Sequence, residues 1–337
     1  MRTRGFIVLG VAIVVCALLR SAIGPVSVDG TIKLALSMPA GEILAFRLQS
    51  VLSAAMLGAA LGLSGLALQS LLRNPLASPF VLGVSSGAGF GVAAVLAGAY
   101  LFALPAVTFG GEVGGAIAGA LITLAIVAWL GRARVSDGGD HGSGASDPTA
   151  LVLSGVIVGA IFSAATMLLE QLVPHGLRGD LLSWMAGRLP EIPARSALAT
   201  VCVSVAVGWI ALASQAGALD VASLSDDEAR SSGVDLGALR RKLFLVGGIL
   251  AAVAVAYAGP IGFIGLIGPH IARKLVGSRH GALVPASALA GAALLVSADA
   301  VRQWIDLGTG RLPVGVVTAL AGGPAFLWLL RSGRWNR

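Results

Sequence analysis

Apolar runs of membrane-spanning length alternate with short polar knots along almost the whole chain. The clearest stretch is Arg47 to Gly91, RLQSVLSAAMLGAALGLSGLALQSLLRNPLASPFVLGVSSGAGFG. A helix needs about 20 apolar residues to cross a bilayer, and the runs on either side of Arg73-Asn74-Pro75 are both long enough. Gly58, Gly62 and Gly65 in the first run, and Gly83, Gly87 and Gly91 in the second, are spaced to let helix backbones approach closely in lipid. The knot RNPLASP carries two prolines and is too polar for hydrocarbon, which predicts a helix-to-helix connection at a membrane face. The same pattern predicts ten spans, over 5–24, 46–71, 80–104, 112–131, 150–173, 194–213, 241–258, 262–276, 282–301 and 312–331. The eighth is short and carries Pro269, so a partial or broken helix is expected there.

Composition sharpens this to a class. The chain is 56% hydrophobic and 12% charged, with mean hydropathy +0.91, where soluble domains carry about a quarter charged residues. The expected fold is all-α: a polytopic membrane protein forming a single transmembrane domain over residues 1–337. Lys and Arg total 23, and with the N-terminus inside, fifteen fall on inner connections and eight on outer ones. That bias places both termini in the cytoplasm. It accounts for most of the net charge of +7 without a nucleic-acid partner. The basic start MRTRGFIVLGVAIVVCALL resembles a signal peptide but lacks a convincing cleavage site, so a retained first span is expected. Cys16 and Cys202 lie inside apolar runs and read as packed or lipid-facing thiols.

Three connections are long enough to carry more than a turn. Residues 132–149 form a Gly/Ser/Asp linker expected to be mobile on the inner face. Outside, Leu177 to Leu189 carries Leu181, Leu182, Trp184 and Met185 in an amphipathic pattern that predicts an interfacial helix. Residues 217–242, GALDVASLSDDEARSSGVDLGALRRK, predict two short helices at the inner face. Asp226, Asp227 and Glu228 suit a first turn, Gly233 suits a C-terminal cap, and a second helix runs from Leu236 to Lys242. Such a segment offers a docking surface for a soluble partner; an ordinary solvated loop reads equally well from this segment alone.

Ionisable groups in hydrocarbon are costly and usually functional. The candidates are Glu112, Glu170, His270 and Asp299. The two glutamates can reach the interface, His270 reads as a packed or capping group, and Asp299 stands one turn from Arg302 as an ion pair. No relay of such groups crosses mid-membrane. A phosphate-binding loop needs a Gly-Lys-Ser/Thr ending, but Lys33, Lys242 and Lys274 do not follow glycine. HExxH, CxxC and a Ser/His/Asp arrangement are also missing, so neither metal nor enzyme chemistry is indicated.

The stretch from Arg47 resembles the opening signature of the FecCD-type permeases, membrane subunits of ABC importers for ferric siderophores, haem and cobalamin. Three later segments match the same family: DEARSSGVDLGALRRK from Asp227, GPIGFIGLIGPHIARKLVG from Gly259 and RLPVGVVTALAGGPAFLWLL from Arg311. The resemblance covers about residues 45–331. It implies a second permease subunit, two cytoplasmic ABC ATPases that bind ATP and Mg, an extracytoplasmic binding protein, and no cofactor in this chain.

The resemblance also implies residue roles. Asp227, Glu228, Arg230, Ser232, Gly233 and Val234 fall in the ATPase-coupling loop. Arg47 and Arg302, with Arg311, fall where the binding protein docks. Arg73, Asn74, Pro75 and Leu76 form an inner-face loop or gate. Ser50 and Arg311 stand where the family often has Arg and Glu, and Ser232 where it often has Leu. On the residues themselves, Ser154, Gly155, Gly159, Ser163 and Thr166, with Thr318 and Gly322, form small, weakly polar rows suited to a wide, weakly binding pathway. Matching spacing of Arg47–Gly65 and Arg241–Gly259 suggests an inverted repeat. A free-standing secondary carrier with discontinuous helices is the alternative, and a structural or assembly protein would leave the polar knots unexplained.

Overall fold

Hydrocarbon tolerates only backbones that satisfy their own hydrogen bonds, as helices or closed barrels, and the apolar runs fold as helices. The computed structural model describes residues 2–28, 31–36, 41–102, 109–133, 148–305 and 311–331. In chain order its helices are α1 (Arg2–Ala22), α2 (Glu42–Leu71), α3 (Val84–Leu101), α4 (Phe109–Ala133), α5 (Pro148–Gln171), α6 (His175–Met185), α7 (Arg195–Ala213), α8 (Ala216–Ala222), α9 (Asp226–Ser231), α10 (Leu236–Ala258), α11 (Ile264–Val276), α12 (His280–Trp304) and α13 (Val314–Arg331). Eight are long and apolar enough to cross a bilayer; α11, at 13 residues, and the apolar part of α13, Val314–Trp328, are shorter. One short antiparallel hairpin, β1 (Ile23–Val28) with β2 (Thr31–Leu36), joins α1 to α2 in the otherwise all-helical fold. Its two six-residue strands, rich in β-branched residues, are too short to span. The linker expected at 132–149 lies for the most part outside the described residues.

Helix α2 is the centre of the bundle: 89% of its apolar window is buried, against 22% for α1 and for α7. The glycines explain how its neighbours come so close. A methyl group on Gly58 or Gly62 would overlap the carbonyls of Gly291 and Ser287 on α12, and one on Gly65 would overlap Gly265 of α11. The rising numbers on α2 meet falling numbers on α12, so the two helices are antiparallel. Gly87 and Gly91 seat α3 on Gly119 and Gly115 of α4 in the same way. Gly83 is different. With φ of 73° it ends the 3-10 turn Pro79–Leu82, and α3 starts after it. On the periphery, Val11 and Leu18 of α1 and Val203 and Val207 of α7 are exposed apolar side chains, as a surface solvated by lipid requires.

Pro269 does not break the eighth segment. A proline removes the N–H that would reach the carbonyl four residues back, here that of Gly265. The buried Gln69 side chain on α2 supplies the missing donor, with Nε2 3.4 Å from the Gly265 oxygen and 3.3 Å from that of Leu266. The chain turns instead just before α11, at Gly259 (φ 67°) and Phe263 (φ 68°). The cysteines are free thiols on separate helices, and the Cys16 sulfur lies 3.1 Å from Ser297 Oγ.

Candidate functional site

Functional candidates gather at the two ends of α2, about 45 Å apart for 30 residues at 1.5 Å each. At the C-terminal end, α2 stops at Leu71 and Arg73 adopts φ of 46°. Asn74 then caps the turn by accepting from the Leu76 N–H at 2.9 Å. The Arg73 side chain donates to the Ala222 carbonyl at the end of α8 (2.7 Å) and pairs with Asp226 at 2.6 Å. Arg240 on α10 reaches the same carboxylate at 2.9 Å. Partial burial works to raise the Asp226 pKa, but Arg240 and then Arg73 outweigh it and hold the carboxyl below its ordinary range. The polar knot of the 2–3 connection is thus tied to the first residue of α9.

Helix α9 has six residues, too few to persist alone. Its ends hold it. Ser225 caps the helix by accepting from the Glu228 N–H (3.1 Å), and its hydroxyl donates to the Glu228 carboxylate (2.8 Å). At the other end Val234 N–H donates to Ala229 O and Gly233 N–H to Arg230 O, the Schellman pattern, with Gly233 at φ of 79°. One face is anchored through Asp226 and the fully buried Ala229. The other face, with Asp227, Glu228, Arg230 and Ser232, is exposed, and Val234 is half-buried. Asn74, Pro75 and Leu76 are exposed beside it. The expected short helix, its acidic first turn and its glycine cap are all formed.

At the opposite end Asp299 is 1% exposed and accepts from two buried arginines, Arg302 one turn on and Arg20 at the end of α1. The second partner was not expected, because Arg20 counts in the sequence only as an outer-face charge. Its signal was a charge in the last turn of a helix that is apolar from Gly5 to Leu19, which calls for a partner. Arg302 also donates to the Leu189 carbonyl (3.3 Å) and is 3% exposed. The chain alone therefore holds Arg302 in a structural triad, away from a docking surface. Arg47 is half-exposed and donates to Ser21 O at 2.7 Å. Ser50 and Arg311, two of the three departures from the family pattern, converge on one residue: Ser50 bonds the Glu191 carbonyl and Arg311 pairs with its carboxylate. Arg311 thus places its charge on Glu191, next to Ser50. Glu112, Arg188, Glu191 and Arg311 border a cavity of about 440 Å³ here. His270 is buried as expected of a packed histidine.

The small-residue row on α5 is largely packed within the chain. A methyl on Gly155 would overlap the Val81 carbonyl, and Gly159 lies on Gly83. Ser163 Oγ donates to Ser86 Oγ at 3.2 Å, and Thr166, 3% exposed, bonds back to Phe162 O at 2.8 Å. Ser154 is half-buried. Small residues are what let α5 close on α3, so they turn inward. The outward row is Val156, Ala160, Ile161, Ala164 and Met167. On α13, Thr318 is 5% exposed and a methyl on Gly322 would overlap Phe263, while Leu320 and Leu327 face out. Among the described residues, no group of three His, Cys, Asp or Glu side chains converges as a metal site.

Known relatives place this bundle of close-packed spans in the membrane permease class of ABC importer subunits. The FecCD transport family matches residues 8–332, and the chain belongs to it. It is 39% identical over 290 residues to the vitamin B12 import system permease protein BtuC of Citrobacter koseri, covering 86% of this chain and 82% of that one. It is 37% identical over 288 residues to the Fe(3+)-citrate import system permease protein YfmD of Bacillus subtilis, covering 86% and 80%. A solved structure described as an inward-facing conformation of a metal-chelate type ABC transporter superimposes with a TM-score of 0.82 at 29% identity, over 98% of this chain and 99% of that one.

Proposed function

We propose that this chain carries an iron chelate or a corrinoid such as cobalamin across the cytoplasmic membrane as half of a permease dimer. An extracytoplasmic binding protein delivers the cargo at the Arg47 end. Two ATPase subunits, which hold ATP and Mg, drive the cycle from the Arg73 end; both termini of the permease are cytoplasmic. The observation that carries the reading is α9, a helix too short to stand alone, capped at both ends, anchored by Asp226 and presenting Asp227, Glu228, Arg230 and Ser232 outward. That construction suits transmission of force between a soluble motor and the bundle through Arg73 and α10. The relatives named for vitamin B12 and Fe(3+)-citrate import support the cargo class. Cargo passes where two permeases meet, along the outward faces of α5 and α13, whose exposed side chains lack ionisable groups over 153–168 and 319–328. Such a wall binds weakly, as a conduit must, leaving affinity to the binding protein.

The test is reconstitution of the purified complex in proteoliposomes with its binding protein, measuring uptake of ferric-siderophore complexes and of cobalamin. Uptake should require ATP and should be confined to the cargo that the binding protein retains. Uptake driven by an ion gradient without any ATPase would establish the secondary carrier instead.

A further inference from the structure

A second cavity of about 440 Å³ opens at the Arg73 end, between the end of α2, α8, and the starts of α10 and α12. That volume lies within the range of small-molecule sites. Four guanidinium groups border it, those of Arg73, Arg240, Arg273 and Arg279, above a floor that includes Leu239, Leu243 and Leu283. Asp226 accounts for two of the four, Arg73 and Arg240. The carboxylate on the rim, Asp220, is committed to His280: its Oδ1 accepts from the backbone N–H and lies against Nδ1, both at 2.8 Å.

Arg273 and Arg279 are left in excess. Among the described residues, no carboxylate pairs with either. Arg273 is half-buried, and its hydrogen bond goes to the neutral Gln69 Oε1 at 2.7 Å. Gln69 is itself oriented by the Gly265 and Leu266 carbonyls, so the guanidinium is held in place with most of its donors unspent. Arg279 is the N-cap of α12, a 25-residue helix whose dipole puts partial positive charge at that end. A cation there is unfavourable unless an anion offsets it.

We propose that this cavity binds a phosphate-bearing anion, either the headgroup of an acidic phospholipid or free phosphate. Arg273 and Arg279 are its chief ligands, and the leucine floor accepts the apolar part of a lipid. Basic pockets between transmembrane helices on the cytoplasmic side are the kind of site that acidic headgroups occupy. An anion held there would brace α2, α11 and α12 against α8, next to the helix assigned to coupling. The chemistry of the site is independent of the cargo.

The experiment uses the full-length chain in detergent micelles, examined by native mass spectrometry and thermal unfolding. The probes are dioleoyl phosphatidylglycerol, dioleoyl phosphatidylcholine and inorganic phosphate. The wild type should retain phosphatidylglycerol in preference to phosphatidylcholine, or bind phosphate, and unfold at a higher temperature with it. Arg279→Gln, an exposed position that leaves packing intact, should weaken retention about fivefold, as should Arg273→Gln, with the double variant weaker still. Arg273→Lys should restore much of it. Retained lipid that phosphate does not displace identifies the headgroup as occupant; saturable phosphate binding that displaces lipid identifies the free anion. Equal retention of both phospholipids without phosphate binding overturns the proposal, as does retention unchanged in the double variant. Loss of ATPase association on Arg279→Glu, with no lipid or phosphate bound by the wild type, would also overturn it and make the cavity a socket for a partner carboxylate.

Discussion

Gly233 offers the sharpest test of the coupling assignment, because its surroundings separate backbone strain from steric clash. It sits at φ of 79°, and a Cβ built there meets nothing within 4 Å. Gly233→Ala therefore costs only the torsional penalty of the left-handed region, about 1–2 kcal/mol. A shift of that size changes the ratio of ordered to disordered α9 by about 5- to 30-fold, in a helix of six residues that depends on its caps. Gly233→Asn should cost less, since asparagine visits this region readily. Gly233→Pro forces φ to about −65° and removes the N–H that now bonds Arg230 O at 2.9 Å. It should cost at least about 3 kcal/mol. ATP-driven uptake in proteoliposomes should fall in the order Gly, Asn, Ala, Pro and reach background at Pro, while membrane insertion and thermal unfolding of the bundle stay near wild type. Wild-type uptake by the proline variant would refute the role of α9. An asparagine variant worse than alanine would refute the backbone account.

Other expectations concern stability, pH and the pathway. Asp299→Asn leaves Arg20 and Arg302 buried without a counter-charge, and removing one partner of a buried pair costs about 3–5 kcal/mol; an unchanged unfolding temperature in detergent would contradict the triad. The Asp226 pKa lies below its ordinary value, so its pairs contribute fully above the usual carboxylate pKa of about 3.9 and are lost as pH falls through the lower folded value. ATPase association should thus hold through neutral and mildly acidic pH and fail only in stronger acid, and Asp226→Asn should weaken it at neutral pH; failure near pH 6 would point to another group. A cysteine at Ala160 should react with water-soluble thiol reagents in some nucleotide state, while one at Thr166 should stay protected; the reverse pattern would put the packed row of α5 on the pathway. Charge reversal at Arg47 and Arg311 together should weaken salt-sensitive docking of the binding protein, and unchanged affinity at low salt would remove both from that surface.

Much of this protein was determined by local pattern. Span existence follows from runs of apolar residues, because each helix meets its backbone needs within itself, and the ten predicted segments all appear as helices. Caps are local too: the acids 226–228 and Gly233 announce α9 whatever the rest of the chain does. The glycines of α2 signalled close approach without naming the neighbour, and only the assembled bundle shows Gly58 and Gly62 on α12 and Gly65 on α11. Charge partners were the least legible, since Arg20 and Asp299 lie 279 positions apart, and Arg73 meets Asp226 through a turn that no periodicity encodes. Arg302 looks the same in sequence whether it faces a partner or the core. The small row on α5 shows why composition alone misleads: weakly polar, compact side chains suit an open channel wall and a tight helix seam equally well. Which of these they form depends on where α3 lies, and that depends on packing among residues remote in the chain, which one-dimensional spacing does not contain.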